Sequence, residues 1–281
     1  MGYNPEMTHL VLLALATVSL ATPPADPPTP SCASGHLVKE KPKLWRTRLA
    51  SADPNQFDAL LAEMALPPIP ADLTGVEFDR VDLFRAQLAD DPESEEAVVQ
   101  AKFTAHRRPA GEEDAALSDL VRIYRIQVLQ NVGPGVFCAL GSELSADQPV
   151  QTLNAGPAEG MHDEYGPLTF GFTTLTHPDR QTIEVVQPMT VHSRTTGTRT
   201  RHAFWNVSGG KLLQVLEIDA FDLVAHGTKD RGSFERGTTV PQVVTAVREV
   251  CGDDGEPCEK TETVHTFYGS TYGLEPTQCG L

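Results

Sequence analysis

Ile123-Tyr124-Arg125-Ile126-Gln127-Val128-Leu129 is the stretch that decides the fold. Its side chains alternate, with Tyr124, Ile126 and Val128 on one side and Ile123, Arg125, Gln127 and Leu129 on the other. A period of two is the signature of a strand, and the wholly apolar side predicts one buried face. Similar short runs rich in Val, Ile, Thr and Phe recur along the chain: 81–88, 97–106, 135–140, 168–174, 181–187, 190–194, 201–207, 211–218, 240–250 and 263–269. Compact reversals separate several of them: Gly133-Pro134-Gly135, Thr196-Gly197-Thr198 and Ser208-Gly209-Gly210. Such spacing favours neighbouring antiparallel pairs. Helical crossovers between the runs are not evident, which argues against a doubly wound parallel fold. The expected fold class is mainly β, an antiparallel meander or β-sandwich.

One helix is expected before the strands. In residues 54–64, Phe57, Leu60, Leu61 and Met64 recur at helical spacing, Asp53 stands at the cap position, and Pro67, Pro68 and Pro70 follow as a stop. Upstream, residues 22–42 are rich in proline and have no apolar period, the composition of a solvated linker. Residues 43–281 then read as a single β-rich domain with a sub-boundary near 145–165. About 250 residues suffice to bury a sizeable core.

The N-terminus carries an address. The apolar run Leu10 to Ala21 ends in Ser19-Leu20-Ala21, with small residues at the −3 and −1 positions of a cut after Ala21. Twelve residues are too few to span a bilayer as a helix, so residues 1–21 read as a signal peptide. The segment before the run has no Lys or Arg, which makes Met7 a candidate start with the α-amino group supplying the positive charge. The expected location is the periplasm, the cell surface or the medium, without stable membrane insertion after cleavage.

Export puts the cysteines in an oxidising compartment. Cys251 and Cys258 flank Gly252-Asp253-Asp254-Gly255-Glu256-Pro257, whose glycines and proline let the chain reverse and bring the two sulfurs together. Cys32, Cys138 and Cys279 allow one further bridge and leave one thiol. Cys138, within Val136-Phe137-Cys138-Ala139-Leu140, also suits a small core hydrophobe, and Cys32 and Cys279 suit a bridge between termini.

The chain carries 22 basic and 38 acidic side chains, a formal charge of −16. Such a surface repels phosphate backbones and anionic headgroups, so nucleic acid is a poor partner. Against this background Arg194, Arg199 and Arg201, interleaved with threonines, form the most basic local patch. It suits a sulfate, phosphate or acidic glycan, and charged Thr-rich ribbons also guard exposed strands.

Other polar groups carry weaker chemistry. Asp90-Asp91-Pro92-Glu93-Ser94-Glu95-Glu96 precedes an aliphatic strand, and oxygen-rich loops of this type hold calcium. The arrangement resembles the aspartate-rich loop of FG-GAP and related calcium-binding β-repeat proteins. The resemblance implies Asp90 and Glu96 as ligands, while Leu88 and Pro92 stand where acids belong and Asp91 replaces the loop glycine. A solvated, self-repelling turn is the simpler reading of the same residues. His192 and His202 would face each other across a reversal centred on Gly197, but two imidazoles do not make a zinc site. His162-Asp163-Glu164-Tyr165 lies in an expected loop over 156–167, where acids and bases often act, yet no nucleophile at a recognised spacing accompanies it. Asn206-Val207-Ser208 is a glycosylation sequon.

No nucleophile motif, metal cluster, phosphate loop or cofactor fingerprint is legible. The expectation is an exported binding or structural module for an extracellular or surface ligand. A secreted hydrolase with scattered carboxylates is the alternative, and a calcium-dependent adhesion module the second alternative.

Overall fold

A computed structural model describes residues 32, 37–38, 42–88, 96–107, 120–133, 136–153, 162–192, 195–252 and 257–274. The fold is mainly β, with two antiparallel sheets and two short helices. The first sheet is built from β1 (Leu37–Val38), β2 (Leu73–Ala86), β3 (Glu96–Arg107), β4 (Leu120–Gly133), β5 (Val136–Gly141) and β6 (Ala146–Pro149). Its order is β1-β5-β4-β3-β2, with β6 beside the first half of β4. At Val150 the chain passes into the second sheet, whose amide nitrogen still donates back to Leu120 O at 2.9 Å.

The second sheet contains β7 (Gln151–Leu153), β8 (His162–Tyr165), β9 (Thr169–His177), β10 (Arg180–His192), β11 (Thr196–Ser208), β12 (Lys211–Ala225), β13 (Thr228–Arg236), β14 (Val244–Cys251), β15 (Glu259–Phe267) and β16 (Tyr272–Leu274). From β10 to β16 it is a meander that curls into a half-barrel. The long β10 pairs with β9 along its first half and with β8 along its second. Pro188 and Met189 therefore lie within one continuous strand, where two short ones were expected.

Helix α1 (Pro42–Ala50) and helix α2 (Phe57–Glu63) cover the outer face of the first sheet. Trp45 and Leu49 of α1 lie one turn apart and are buried, as are Phe57 and Leu61 of α2. The expected helix thus exists, but its first turn, Pro54–Gln56, is a 3-10 helix. Gln56 Oε1 accepts from Asp53 N at 3.0 Å, so the start is tied by the side chain reaching back. Helix α1 was not expected, because its Trp45 and Leu49 alone gave too short an apolar pattern. Within the proline-rich stretch, Leu37–Val38 pairs with β5 and Cys32 is bonded to Cys138.

The decisive strand differs from its expectation. Both faces of residues 123–129 are buried, because the helices cover Ile123 and Leu129 while the second sheet covers Tyr124, Ile126 and Val128. The polar members of the helix-covered face, Arg125 and Gln127, are satisfied internally. Arg125 Nε donates to Pro68 O at 2.9 Å and Nη1 lies 2.7 Å from Asp147 Oδ1; Gln127 Nε2 donates to Gly141 O at 2.9 Å. A buried polar residue is tolerable on these terms. The result is three layers: helices, first sheet, second sheet.

Hydrogen bonds also stitch the sheets beyond the apolar contacts. Tyr124 Oη accepts from Leu168 N at 3.1 Å, and Gln87 O accepts from Gln181 N at 2.6 Å. A separate core lines the half-barrel, formed by Leu175, Phe204, Leu216, Ile218 and Val244.

Gly209 and Gly210 make the β11–β12 hairpin turn as expected, both with positive φ (57° and 73°). Gly197 does not make a turn. It lies inside β11 opposite Val191, with φ 146°, and a Cβ there would stand 2.0 Å from Asp222 O. Glycine is required by the close approach of β12, so the reversal falls between His192 and Thr196 instead.

Candidate functional site

That register shift of the β10–β11 hairpin rearranges the expected sites. His202 is opposite Val186 and His192 opposite Thr196, so the two imidazoles do not face each other. His202 instead meets Glu184, with Nδ1 2.8 Å from Oε1. Phe234 closes on the ring edge at 4.9 Å, and Arg236 Nη1 lies 3.6 Å from Glu184 Oε2. The bond from His202 holds the Glu184 carboxyl below its usual range against the opposing effect of burial, and Arg236 adds to it. The other ring nitrogen of His202 makes no hydrogen bond among the described residues, so this pair has no nucleophile to activate.

The expected loop at His162-Asp163-Glu164-Tyr165 is strand β8, paired with β7 and with Met189 to Val191 of β10. Its alternation places Asp163 and Tyr165 on the same face as Met189 and Val191. The sequon asparagine is half-buried inside β11. Asn206 Nδ2 donates to Thr176 Oγ1 and Oδ1 accepts from Thr182 Oγ1, both at 2.8 Å, so the sequon side chain is tied within the sheet. Ser270 stands in the exposed bend between β15 and β16.

Glu96 is fully buried at the head of β3, with Oε2 accepting from Leu88 N at 2.8 Å. Asp90, its partner in the calcium reading, lies outside the described residues, as does Cys279. The disulfide Cys251–Cys258 is formed, and the second is Cys32–Cys138, with Cys138 buried. Glu249 lies within 4.8 Å of both sulfurs of the first bridge, but oxidised sulfurs are not thiolate ligands. No helix of the described residues is long and apolar enough to cross a membrane.

Among the described residues, several polar groups line a cleft of about 430 Å³ where the two sheets part. Along β10 and β11 the odd-numbered residues face the first sheet. Ile183, Val185, Ala203 and Trp205 pack against it, and one turn of the pleat further on the sheets separate and the same face becomes Gln187, Met189, Arg199 and Arg201. Asp163 and Tyr165 of β8 continue this floor. The opposite wall is β6. There Asp147 turns its carboxylate to Arg125 on the helix-covered side, while Gln148, opposite Arg122, turns toward the second sheet.

Bonds across the seam fix the walls. Arg122 Nη1 donates to Tyr165 O at 2.6 Å, and Gln148 Nε2 donates to Gly166 O at 3.1 Å. Gln148 is only 4% exposed, and its Oε1 accepts no hydrogen bond among the described residues. A buried, unsatisfied amide oxygen costs about 1–3 kcal/mol, so this lining residue carries an acceptor with no donor among the described residues.

The anion patch divides into unequal members. Arg194 lies outside the described residues. Arg199 is held by Asp219 of β12, through Nε at 2.9 Å and through Nη2 on the same oxygen. Arg201 makes only ion pairs, Nε standing 3.4 Å from Glu217 Oε1 and 3.7 Å from Asp219 Oδ1. The sequence pointed to the two arginines and to the His162–Tyr165 segment, which supplies Asp163 and Tyr165, but not to Gln148, Gln187 or Met189. Ala146-Asp147-Gln148-Pro149 carries no pattern that would have marked it.

A second hollow, under α2 between Leu66, Ala139 and Leu140, is mainly apolar and gathers no charged groups. No family model matches the chain, and neither a curated protein nor a solved structure matches it.

Proposed function

We propose that the protein is an exported, non-catalytic binding module that takes a hydroxyl-rich ligand, a saccharide, in the cleft at the seam of the two sheets. The observation that carries this reading is the buried amide of the lining residue Gln148, whose Nε2 is spent on Gly166 O while its Oε1 has no donor among the described residues. The cleft has the volume of a small-molecule site, yet its lining is mostly polar. Sugar hydroxyls both donate and accept, so they satisfy Gln148 Oε1 on one wall and the arginine and Gln187 groups on the floor. Two disulfides suit an oxidising compartment and support the export reading of residues 1–21.

Calorimetric titration with a panel of soluble oligosaccharides tests it. Binding by the wild-type protein, weakened in Gln148→Leu and preserved in Arg248→Gln on the exposed β14 strand, is the expected result. No binding to any member of the panel overturns it.

One observation favours a second reading, a secreted glycoside hydrolase. Asp147 and Asp163 line the same cleft, and paired carboxylates are the machinery of such enzymes. Both are committed elsewhere, Asp147 to Arg125 and Asp163 Oδ1 to His192 N at 3.4 Å. Release of reducing ends from the panel, lost in Asp163→Asn, would establish hydrolysis in place of binding alone.

A further inference from the structure

We infer that the seam cleft selects an acidic saccharide unit, with its anionic group on Arg201 and a hydroxyl on Gln148 Oε1. This deepens the binding reading above and rests on it.

Arg199 and Arg201 are the two arginines of β11 that line the cleft. They are two residues apart, so both project from the same face of the sheet. Arg199 has its carboxylate: Asp219 Oδ2 accepts from both Nε and Nη2. That engagement turns Asp219 away from Arg201, whose closest approach to its other oxygen is 3.7 Å. Glu217 is the remaining counter-charge, at 3.4 Å and itself about half exposed. Arg201 makes no hydrogen bond among the described residues, and 48% of its side chain is open to solvent. It is a cleft-lining guanidinium held by two ion pairs through Nε, with no hydrogen bond among the described residues.

Guanidinium forks recognise planar or tetrahedral oxyanions through paired charge-assisted bonds. The carboxylate of a uronic acid and the sulfate ester of a sulfated sugar share this chemistry. The opposite wall asks for something different, because Gln148 Oε1 accepts and a carboxylate or sulfate cannot donate to it. A ligand satisfying both walls carries an anionic group at one end and a hydroxyl at the other, and an acidic sugar has both. A free phosphate or sulfate would satisfy Arg201 and leave Gln148 unpaired.

The chain's charge of −16 makes the selection short-ranged. Arg199 and Arg201 are paired with Asp219 and Glu217 beside the cleft, and Asp147 and Asp163 line it, so anions are not drawn in by the general field. Discrimination comes from the contact with Arg201 and weakens as salt screens the approach.

The experiment is calorimetric titration of the whole protein with tri-galacturonate, its neutral methyl ester and a sulfated trisaccharide, in wild type, Arg201→Gln, Arg201→Lys and Gln148→Leu. The expected result is about tenfold tighter binding of an acidic trisaccharide than of the neutral ester, the equivalent of one charge-assisted bond. Arg201→Gln abolishes that difference, and Arg201→Lys retains part of it. Gln148→Leu weakens acidic and neutral ligands alike. Preference for the sulfated over the carboxylated sugar, or the reverse, identifies the anion and supports the inference either way. Equal affinity for acidic and neutral sugars, with Arg201→Gln without effect, overturns the inference and leaves the saccharide reading standing. Inorganic sulfate binding as tightly as the acidic sugars overturns it also. Failure of every saccharide to bind removes both.

Discussion

Replacing Tyr124 by Phe tests the layered architecture at a buried hydrogen bond between the sheets. Tyr124 belongs to the first sheet and Leu168 enters the second, and the phenol oxygen accepts from the Leu168 amide at 3.1 Å. Both residues are buried, at 2% and 5% exposure, so Leu168 N finds no water when the hydroxyl is removed. An unpaired buried amide costs about 1–3 kcal/mol, and the ring of Phe fills the same volume, so no cavity term is added. A domain of this size loses about 2–4 °C of Tm per kcal/mol, which sets the expected drop at about 2–12 °C.

Urea unfolding of the two proteins, followed by tryptophan fluorescence, measures the difference: the midpoint falls while the slope m stays the same. The pH dependence adds a second reading. Burial raises the Tyr124 pKa above 10.0, so its contribution is complete below pH 10 and is lost as pH rises toward the folded value. The gap between wild type and variant therefore narrows above pH 10. A variant as stable as wild type at pH 7, with no change in that gap, would refute the contact between the sheets.

Other substitutions reach other parts of the fold. Cys32→Ser opens a loop of 106 residues and is expected to cost about 5 kcal/mol on the chain-entropy scale, roughly twice the loss on opening the Cys251–Cys258 loop of 7, in non-reducing denaturation. Gly197→Ala drives a Cβ into Asp222 O and is expected to cost at least about 3 kcal/mol, whereas Gly209→Ala, with open space around it, costs about 1–2 kcal/mol for its left-handed backbone. Glu184→Gln removes a carboxyl held below its ordinary value of 4.5. The stability that Glu184 gives is present above pH 4.5 and lost as pH falls through the folded value, so the acid limb of a Tm against pH plot is expected to flatten in the variant.

The strands were legible because alternation and β-branched side chains report directly on a pleated, buried surface. Tyr124, Ile126 and Val128 show it best. The opposite face was misjudged because Arg125 and Gln127 read as solvated, and only the tertiary arrangement supplies Pro68 O, Asp147 and Gly141 O as their partners. Strand β13, Thr-Lys-Asp-Arg-Gly-Ser-Phe-Glu-Arg, escaped notice for the opposite reason: it is half exposed, and its polar residues hide its period. Gly197 looked like a turn because glycine serves both reversals and close approaches, and sequence does not say which.

The site was less legible than the fold. Arg199 and Arg201 stood out as charge in a short window, but the Asp219 that holds one and only grazes the other comes from the next strand. Gln148 and Tyr165 reach the cleft from β6 and β8, and nothing local distinguishes a glutamine that faces a cleft from one that faces water. What assembles them is the divergence of two sheets after Val185 and Ala203, a property of twist and register.

Amide chemical shifts of the labelled protein during titration with tri-galacturonate test the central claim most directly. The account predicts saturable shifts confined to residues 146–149, 163–166, 187–189 and 199–201, abolished in the Gln148→Leu, Arg201→Gln double variant. Saturable shifts elsewhere, with those four segments unmoved, would contradict it.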